Sequence, residues 1–211
     1  MRLKDKAIIV TGSTTGIGEA MARLFVAEGA KVLVHGRERA RGEDIVGSLG
    51  GRAALCIDDL ADPDAPERIV RAALDAFGRI DGLVNNAAIV TRNDLAATDA
   101  AFFDLMIAVN LRAPLLLVRA AAAELKKTKG SIVNTGSINA YSGESHLVAY
   151  SVSKGGLMTL SKNLADSLCY DGVRVTHFNV GWVLTPNEYL VKLKDGLPPN
   201  WPELVTPEQA P

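Results

Sequence analysis

Cysteine, histidine and net charge are all scarce in this chain of 211 residues, and each scarcity excludes something. Two cysteines, Cys56 and Cys169, lie inside apolar stretches, too few for a disulfide framework, and read as reduced thiols packed as small hydrophobes. The three histidines, His35, His146 and His177, stand far apart without ligand spacing, so no metal site is expected. His35 and His177 read as strand-end or core residues, whereas His146, in the loop 143–147, either lines a pocket or is a plain loop residue. Basic residues number 23 against 24 acidic ones, so no strong field draws nucleic acid or an anionic membrane surface. No window reaches the roughly 18 apolar residues of a membrane span, and the start MRLKDKAIIVTG lacks an apolar signal core. These absences lead to the expectation of a soluble, cytoplasmic protein without nucleic-acid or membrane partners.

What is present is an ordinary globular composition, 48% hydrophobic and 22% charged. A chain of this length buries roughly 70% of the surface its unfolded form exposes, so it needs no disulfide or metal staple. Short apolar runs at 7–10, 31–35, 53–57, 82–85, 131–135 and 173–178 read as strands. Between them lie helical patterns such as 17–28 ending at Gly29, 65–77 ending at Gly78, and 150–170 ending near Gly172. The alternation predicts a parallel sheet with right-handed crossovers and helices on both faces, consistent with the continuously apolar AIIV, VLV and SIV. We therefore expect an α/β, Rossmann-type doubly wound sheet in three layers, as a single domain over 1–211. Residues 185–211, rich in proline around the helical piece NEYLVKLK, read as a lid or linker.

The first strand ends in Thr11-Gly12-Ser13-Thr14-Thr15-Gly16-Ile17-Gly18 and runs into a helix. At such a turn a dinucleotide pyrophosphate meets free backbone N–H groups and the positive helix end, and glycines let the backbone approach it. In NAD-binding folds an acid about 20 residues on, at the end of the second strand, holds the adenosine ribose. Here Gly36 takes that place and Arg37 follows, which favours NADP(H), with NAD(H) the other option. The alternative is that Arg37 and Arg39 are solvated charges at a helix start.

Tyr150 and Lys154 stand four residues apart, hence on one helix face about 6 Å apart at Cβ. A nearby ammonium is expected to lower the phenol pKa and make it a usable acid/base. Such a pair alone says little. Together with Asp59-Leu60, Asn85-Asn86-Ala87-Ala88, Asn110, Ser137 and Gly181-Trp182-Val183-Leu184-Thr185, it makes the chain resemble the short-chain dehydrogenase/reductase family over nearly its whole length.

That resemblance implies an NAD(P)-dependent oxidoreductase moving a hydride between a nicotinamide and a carbonyl or alcohol, 3-oxoacyl groups among the candidates. It implies Tyr150 as acid/base, Ser137 on the substrate oxygen, and Lys154 lowering the Tyr150 pKa while bonding the nicotinamide ribose. Asn110 would anchor a water in a proton relay. Gly12, Ser13, Thr15, Gly16, Ile17 and Gly18 would carry the phosphates, Asp59 and Leu60 flank the adenine, Asn86 the adenosine ribose region, and Val183 and Thr185 the carboxamide, with Ala87 also among the cofactor-binding residues. Pocket walls would come from 138–147 and from the segment after Thr185.

The chain departs from the family pattern at Ala88, usually Gly, at Val180, usually Pro, and at Thr15, basic in many NADP-preferring relatives; Arg37 then carries the cofactor preference largely alone. Family members continue into a further helix and an edge strand, so a truncated chain with an open sheet edge is expected. The resemblance also suggests homodimers or homotetramers built on helices around 100–127 and 150–170. Two competing classes are a non-catalytic NAD(P)-binding sensor or scaffold, and a structural subunit that binds no cofactor.

Overall fold

In the computed structural model, which describes residues 1–194 and 196–200, strands and helices alternate from the start of the chain. The order is β1 (Ala7–Val10), α1 (Gly16–Ala27), β2 (Lys31–Gly36), α2 (Arg39–Leu49), β3 (Ala53–Ile57), α3 (Ala65–Phe77) and β4 (Gly82–Asn85). There follow α4 (Ala100–Ile107), α5 (Ala113–Thr128), β5 (Ser131–Ser137), α6 (Asn139–Ser142), α7 (Val148–Leu168), β6 (Arg174–Val180) and α8 (Pro186–Lys194). Every pairing is parallel, and the spatial order β3-β2-β1-β4-β5-β6 reverses direction between β1 and β4. This is the doubly wound Rossmann-type sheet expected from the alternation.

Period-two alternation sends successive side chains of the central strands into two separate cores. Ile9, Leu33, Leu83 and Ile132 meet Ile69 of α3 and Leu117 and Leu125 of α5 on one face. Ile8, Val10, Val32, Val34 and Val84 meet Ala22 of α1 and Ile45 of α2 on the other. β1 and β4 are buried at every position, as continuously apolar strands require, whereas β6 alternates and leaves Arg174, Thr176 and Phe178 exposed. Cys56 packs half-buried against the first core, but Cys169 is exposed rather than packed, because it lies past the end of α7 in a single 3₁₀ turn.

One expectation fails on helix length. The span Ala100–Thr128 is continuous through a π-helical turn at Ala108–Arg112, and its 29 residues are long and apolar enough, by length and composition, to cross a membrane. In the structure it is a core helix: Met106, Val109, Leu117, Val118, Ala121 and Leu125 are buried, with α5 packed against α3. No uninterrupted apolar run marks it in the sequence, because Asp104, Asn110 and Arg112 punctuate the span.

At the N-terminal ends of the strands, Asp81 knots the sheet together. Its carboxylate accepts from the Ala7 N–H at 3.0 Å, from Lys6 Nζ at 3.0 Å and from Arg79 at 2.7 and 2.8 Å. Its backbone joins β1 and β5, donating to the Ala7 carbonyl and accepting from the Ser131 N–H.

Candidate active site

At the opposite ends of the strands, where β1 and β4 diverge, lies a cleft of about 880 Å³. Its floor is the β1–α1 turn. Gly12 adopts a left-handed φ of +63°, and a Cβ at Gly18 would overlap the Gly12 carbonyl oxygen and lie 2.6 Å from Asn86 Nδ2. Asn86 fastens this floor to β4, its amide donating to the Thr11 and Gly12 carbonyls at 3.0 and 3.3 Å. Gly12, Thr15, Gly16, Ile17, Gly18, Asn86 and Ala87 all wall the cleft.

Ser13 does not. It is fully buried, its hydroxyl donates to the Val10 carbonyl at 2.6 Å and accepts from the His35 N–H at 3.0 Å, and its own N–H is spent on the His35 carbonyl. Ser13 therefore ties β1 to β2 instead of facing a phosphate. His35 completes the tie, its Nδ1 accepting from the Gly12 N–H at 3.3 Å. Burial pushes its pKa down to about 4, against the opposing pull of Asp58 and Asp59. Nothing in the sequence distinguishes this role from that of an ordinary strand-end histidine.

Past β2 the wall is charged. Arg37 is exposed and lies 3.9 Å from Asp59, at the end of β3, while Leu60 beside it is buried. Arg41, which the sequence reading did not single out, joins them in the cleft wall and pairs with Glu38 at 2.9 Å. Its i,i+4 spacing from Arg37 across the start of α2 was the available signal.

The other half of the cleft holds Ser137, Tyr150 and Lys154. β5 ends at Ser137, which is buried and accepts a hydrogen bond from the Asn139 N–H at 3.2 Å. Tyr150 and Lys154 project from one face of α7, the ammonium 5.7 Å from the phenol ring centre. Lys154 is 2% exposed, donates to the Thr135 carbonyl at 2.6 Å and has no carboxylate within ion-pair distance among the described residues. Burial lowers its pKa to about 8. Tyr150 departs from expectation: burial raises its pKa, and the hydrogen bond with Ser137 only partly offsets this. The ammonium is directed at a carbonyl rather than at the phenolic oxygen, so it does not supply the lowering that the four-residue spacing led us to expect.

Asn110 lies beside this group but does not wall the cleft. Carried on the π-helical turn, its Oδ1 accepts from the Ile89 N–H at 2.8 Å and its Nδ2 donates to the Ile89 carbonyl at 3.0 Å and to Ser153 Oγ at 3.1 Å. These bonds join the β4 exit to α7. His146 is exposed, and its carbonyl accepts from the Asn93 N–H at 2.9 Å, joining two loops. Val183 and Thr185 wall the far end together with Trp182, whose indole N–H donates to Glu188 of α8 at 3.0 Å. Residues 195 and 201–211 of the expected lid lie outside the described residues.

The chemistry of this wall fits a dinucleotide. A tight glycine turn opens onto the N-terminus of a helix of 12 residues, and a buried ammonium without a carboxylate partner among the described residues sits further along the same cleft. No group of three or more potential metal ligands occurs among the described residues.

Fold and cleft together define a dinucleotide-binding α/β protein, and comparison with known proteins gives the particular kind. Residues 6–194 match the family described as short chain dehydrogenase. An uncharacterized oxidoreductase of Thermotoga maritima is 37% identical over 179 residues, 83% of this chain and 70% of that protein. An NADP-dependent (R)-specific alcohol dehydrogenase of Lentilactobacillus kefiri is 36% identical over 193 residues, 88% of this chain and 76% of that one. Among solved structures, a short chain dehydrogenase from Burkholderia cenocepacia in complex with NADP superposes with a TM-score of 0.84 at 33% identity, covering 88% of this chain and 78% of that one. The chain belongs to the short-chain dehydrogenase/reductase family, and its class of chemistry is NAD(P)-dependent oxidoreduction.

Proposed function

We propose that this chain reduces the carbonyl of a small organic substrate with NADPH in preference to NADH, 3-oxoacyl groups being one candidate class, and that Ser137, Tyr150 and Lys154 carry the reaction. The observation that carries this reading is the convergence of a buried hydroxyl, a half-buried phenol and a buried ammonium in the cleft that also holds the glycine turn. When bound, the nicotinamide supplies or accepts the hydride. Gly12, Gly16, Gly18 and the N-terminus of α1 would hold its phosphates, Asp59 and Leu60 the adenine, Lys154 a ribose, and Val183 with Thr185 the carboxamide.

As a carbonyl carbon is reduced, its oxygen gains negative charge. Ser137 donates a hydrogen bond to that oxygen and Tyr150 gives it a proton. Burial keeps the Tyr150 pKa above its ordinary value, so the phenol is protonated at neutral pH, the state a proton donor needs. Lys154, whose ammonium is turned to the Thr135 carbonyl, serves by holding the ribose rather than by acting on the phenol. Arg37 supports the preference for NADPH, because a guanidinium at the end of β2 matches a 2′-phosphate.

Nicotinamide fluorescence titrations with NADPH and NADH, followed by a panel of ketones and 3-oxoacyl thioesters, test the reading, with Tyr150→Phe as the decisive variant. Turnover should fall by about two to four orders of magnitude with cofactor affinity retained. Turnover that survives the change would remove Tyr150 from the chemistry, and NADPH binding without turnover of any substrate would favour a sensor. We also propose a homodimer or homotetramer through α4, α5 and α7, where Leu105, Leu115 and Val152 are exposed. Light scattering after size exclusion decides it.

A further inference from the structure

Gly36, the last residue of β2, stands where a ribose-binding acid is expected, and the structure shows why no side chain is there. A Cβ built on Gly36 would overlap Thr14 Oγ1, lie 2.5 Å from Thr14 Cγ2 and 3.0 Å from Thr14 Cβ. Both branches of the threonine face the glycine, so rotation about χ1 still leaves a heavy atom in the way.

Neither partner is free to retreat. On one side, β2 is held by β3, with Gly36 in register with Ile57 and its carbonyl accepting from the Asp58 N–H at 3.1 Å. On the other, the turn carrying Thr14 is held by the buried Ser13 and by the Gly12 N–H bond to His35 at 3.3 Å. Thr14 is itself 8% exposed and does not wall the cleft, whereas Gly36, Arg37 and Arg41 do.

We propose that Thr14 is a determinant of nucleotide choice. It bars a side chain from position 36, where a carboxylate would take the 2′-hydroxyl of an adenosine ribose. The charged groups in this part of the wall are Arg37, Glu38, Arg41 and Asp59, with Arg37 beside Asp59 and Arg41 paired with Glu38. The inference rests on the reading of the cleft as a dinucleotide site, and it makes cofactor choice a property of two residues rather than of one.

The test is a double-mutant cycle of Gly36→Asp and Thr14→Ala, with Kd for NADH and NADPH read from nicotinamide fluorescence and Tm from thermal unfolding. Gly36→Asp alone should lower Tm and improve NADH affinity by no more than about twofold. Adding Thr14→Ala should recover Tm and bind NADH about tenfold more tightly than Gly36→Asp alone, the scale of one charge-assisted hydrogen bond. A single Gly36→Asp change that gains as much NADH affinity as the double variant would overturn the proposal. Should Gly36→Asp fail to fold, Gly36→Ala with and without Thr14→Ala isolates the added methyl. A smaller loss of Tm in the Thr14→Ala background supports the contact, and an equal loss refutes it. Wild-type preference for NADH would overturn the role given to Arg37, while the cycle would still decide that of Thr14.

Discussion

Acidification should weaken the protein through His35 before it protonates most of the carboxylates. The imidazole is 2% exposed, and its Nδ1 accepts from the Gly12 N–H at 3.3 Å, so its proton resides on Nε2. Burial holds its pKa at about 4, against 6.5 for the exposed side chain. Between these values the unfolded chain binds the proton and the folded chain does not. Stability therefore rises with pH across that window, is complete above 6.5, and is lost as the pH falls toward 4. The gap corresponds to about 3 kcal/mol, a large part of the stability of a typical domain. Protonation would also set an N–H on Nδ1 against the Gly12 N–H and loosen the turn that carries the phosphate-binding glycines. Urea unfolding of wild type and His35→Asn at steps from pH 7.5 to 4 measures the effect, because the asparagine oxygen keeps an acceptor for Gly12 without titrating. The wild type should lose about 3 kcal/mol more than the variant over this range. Parallel pH profiles for the two proteins would refute the reasoning.

Four further outcomes follow from the cleft. Lys154→Met should stabilise the protein at neutral pH by about 2 kcal/mol, the relief of a buried charge less one hydrogen bond, and the gain should fade between pH 8 and 10.5 as the wild-type amine loses its proton; turnover should collapse in the same variant. Asn110→Ala removes four hydrogen bonds, two of them to the Ile89 backbone, and should cost about 2–3 kcal/mol in denaturant unfolding. Arg37→Ala should weaken NADPH by about tenfold or more while NADH affinity stays within about twofold, read by fluorescence titration. Tyr150→Phe should abolish turnover and keep cofactor, as set out above.

Strand positions were legible because parallel strands buried on both faces leave uninterrupted apolar runs, and all six were located to within one or two residues. Helix ends marked by glycine, such as Gly78 after α3, were equally plain. The π-helical turn at Ala108–Arg112 was not. The site was legible as a set of residues but not as a set of environments. Ser13 belongs to a phosphate-binding motif by position, yet the direction of its hydroxyl is decided by a strand more than 20 residues away. Tyr150 and Lys154 were paired correctly on one helix face, yet the sign of the phenol shift depends on burial and on where the ammonium points. Both are tertiary facts that spacing along the chain does not encode.

The knot at Asp81 gives the molecule a polarity that bears on how it can be engineered. At that end of the strands a single carboxylate is met by two cations and a backbone N–H. At the other end Lys154 keeps a charge buried with no counter-ion among the described residues. Hardening the protein against heat is therefore work for the Asp81 end, where tightening disturbs no chemistry. A screen that rewards thermal tolerance alone would drift toward neutralising Lys154, and would select the most durable chains from among the inactive ones.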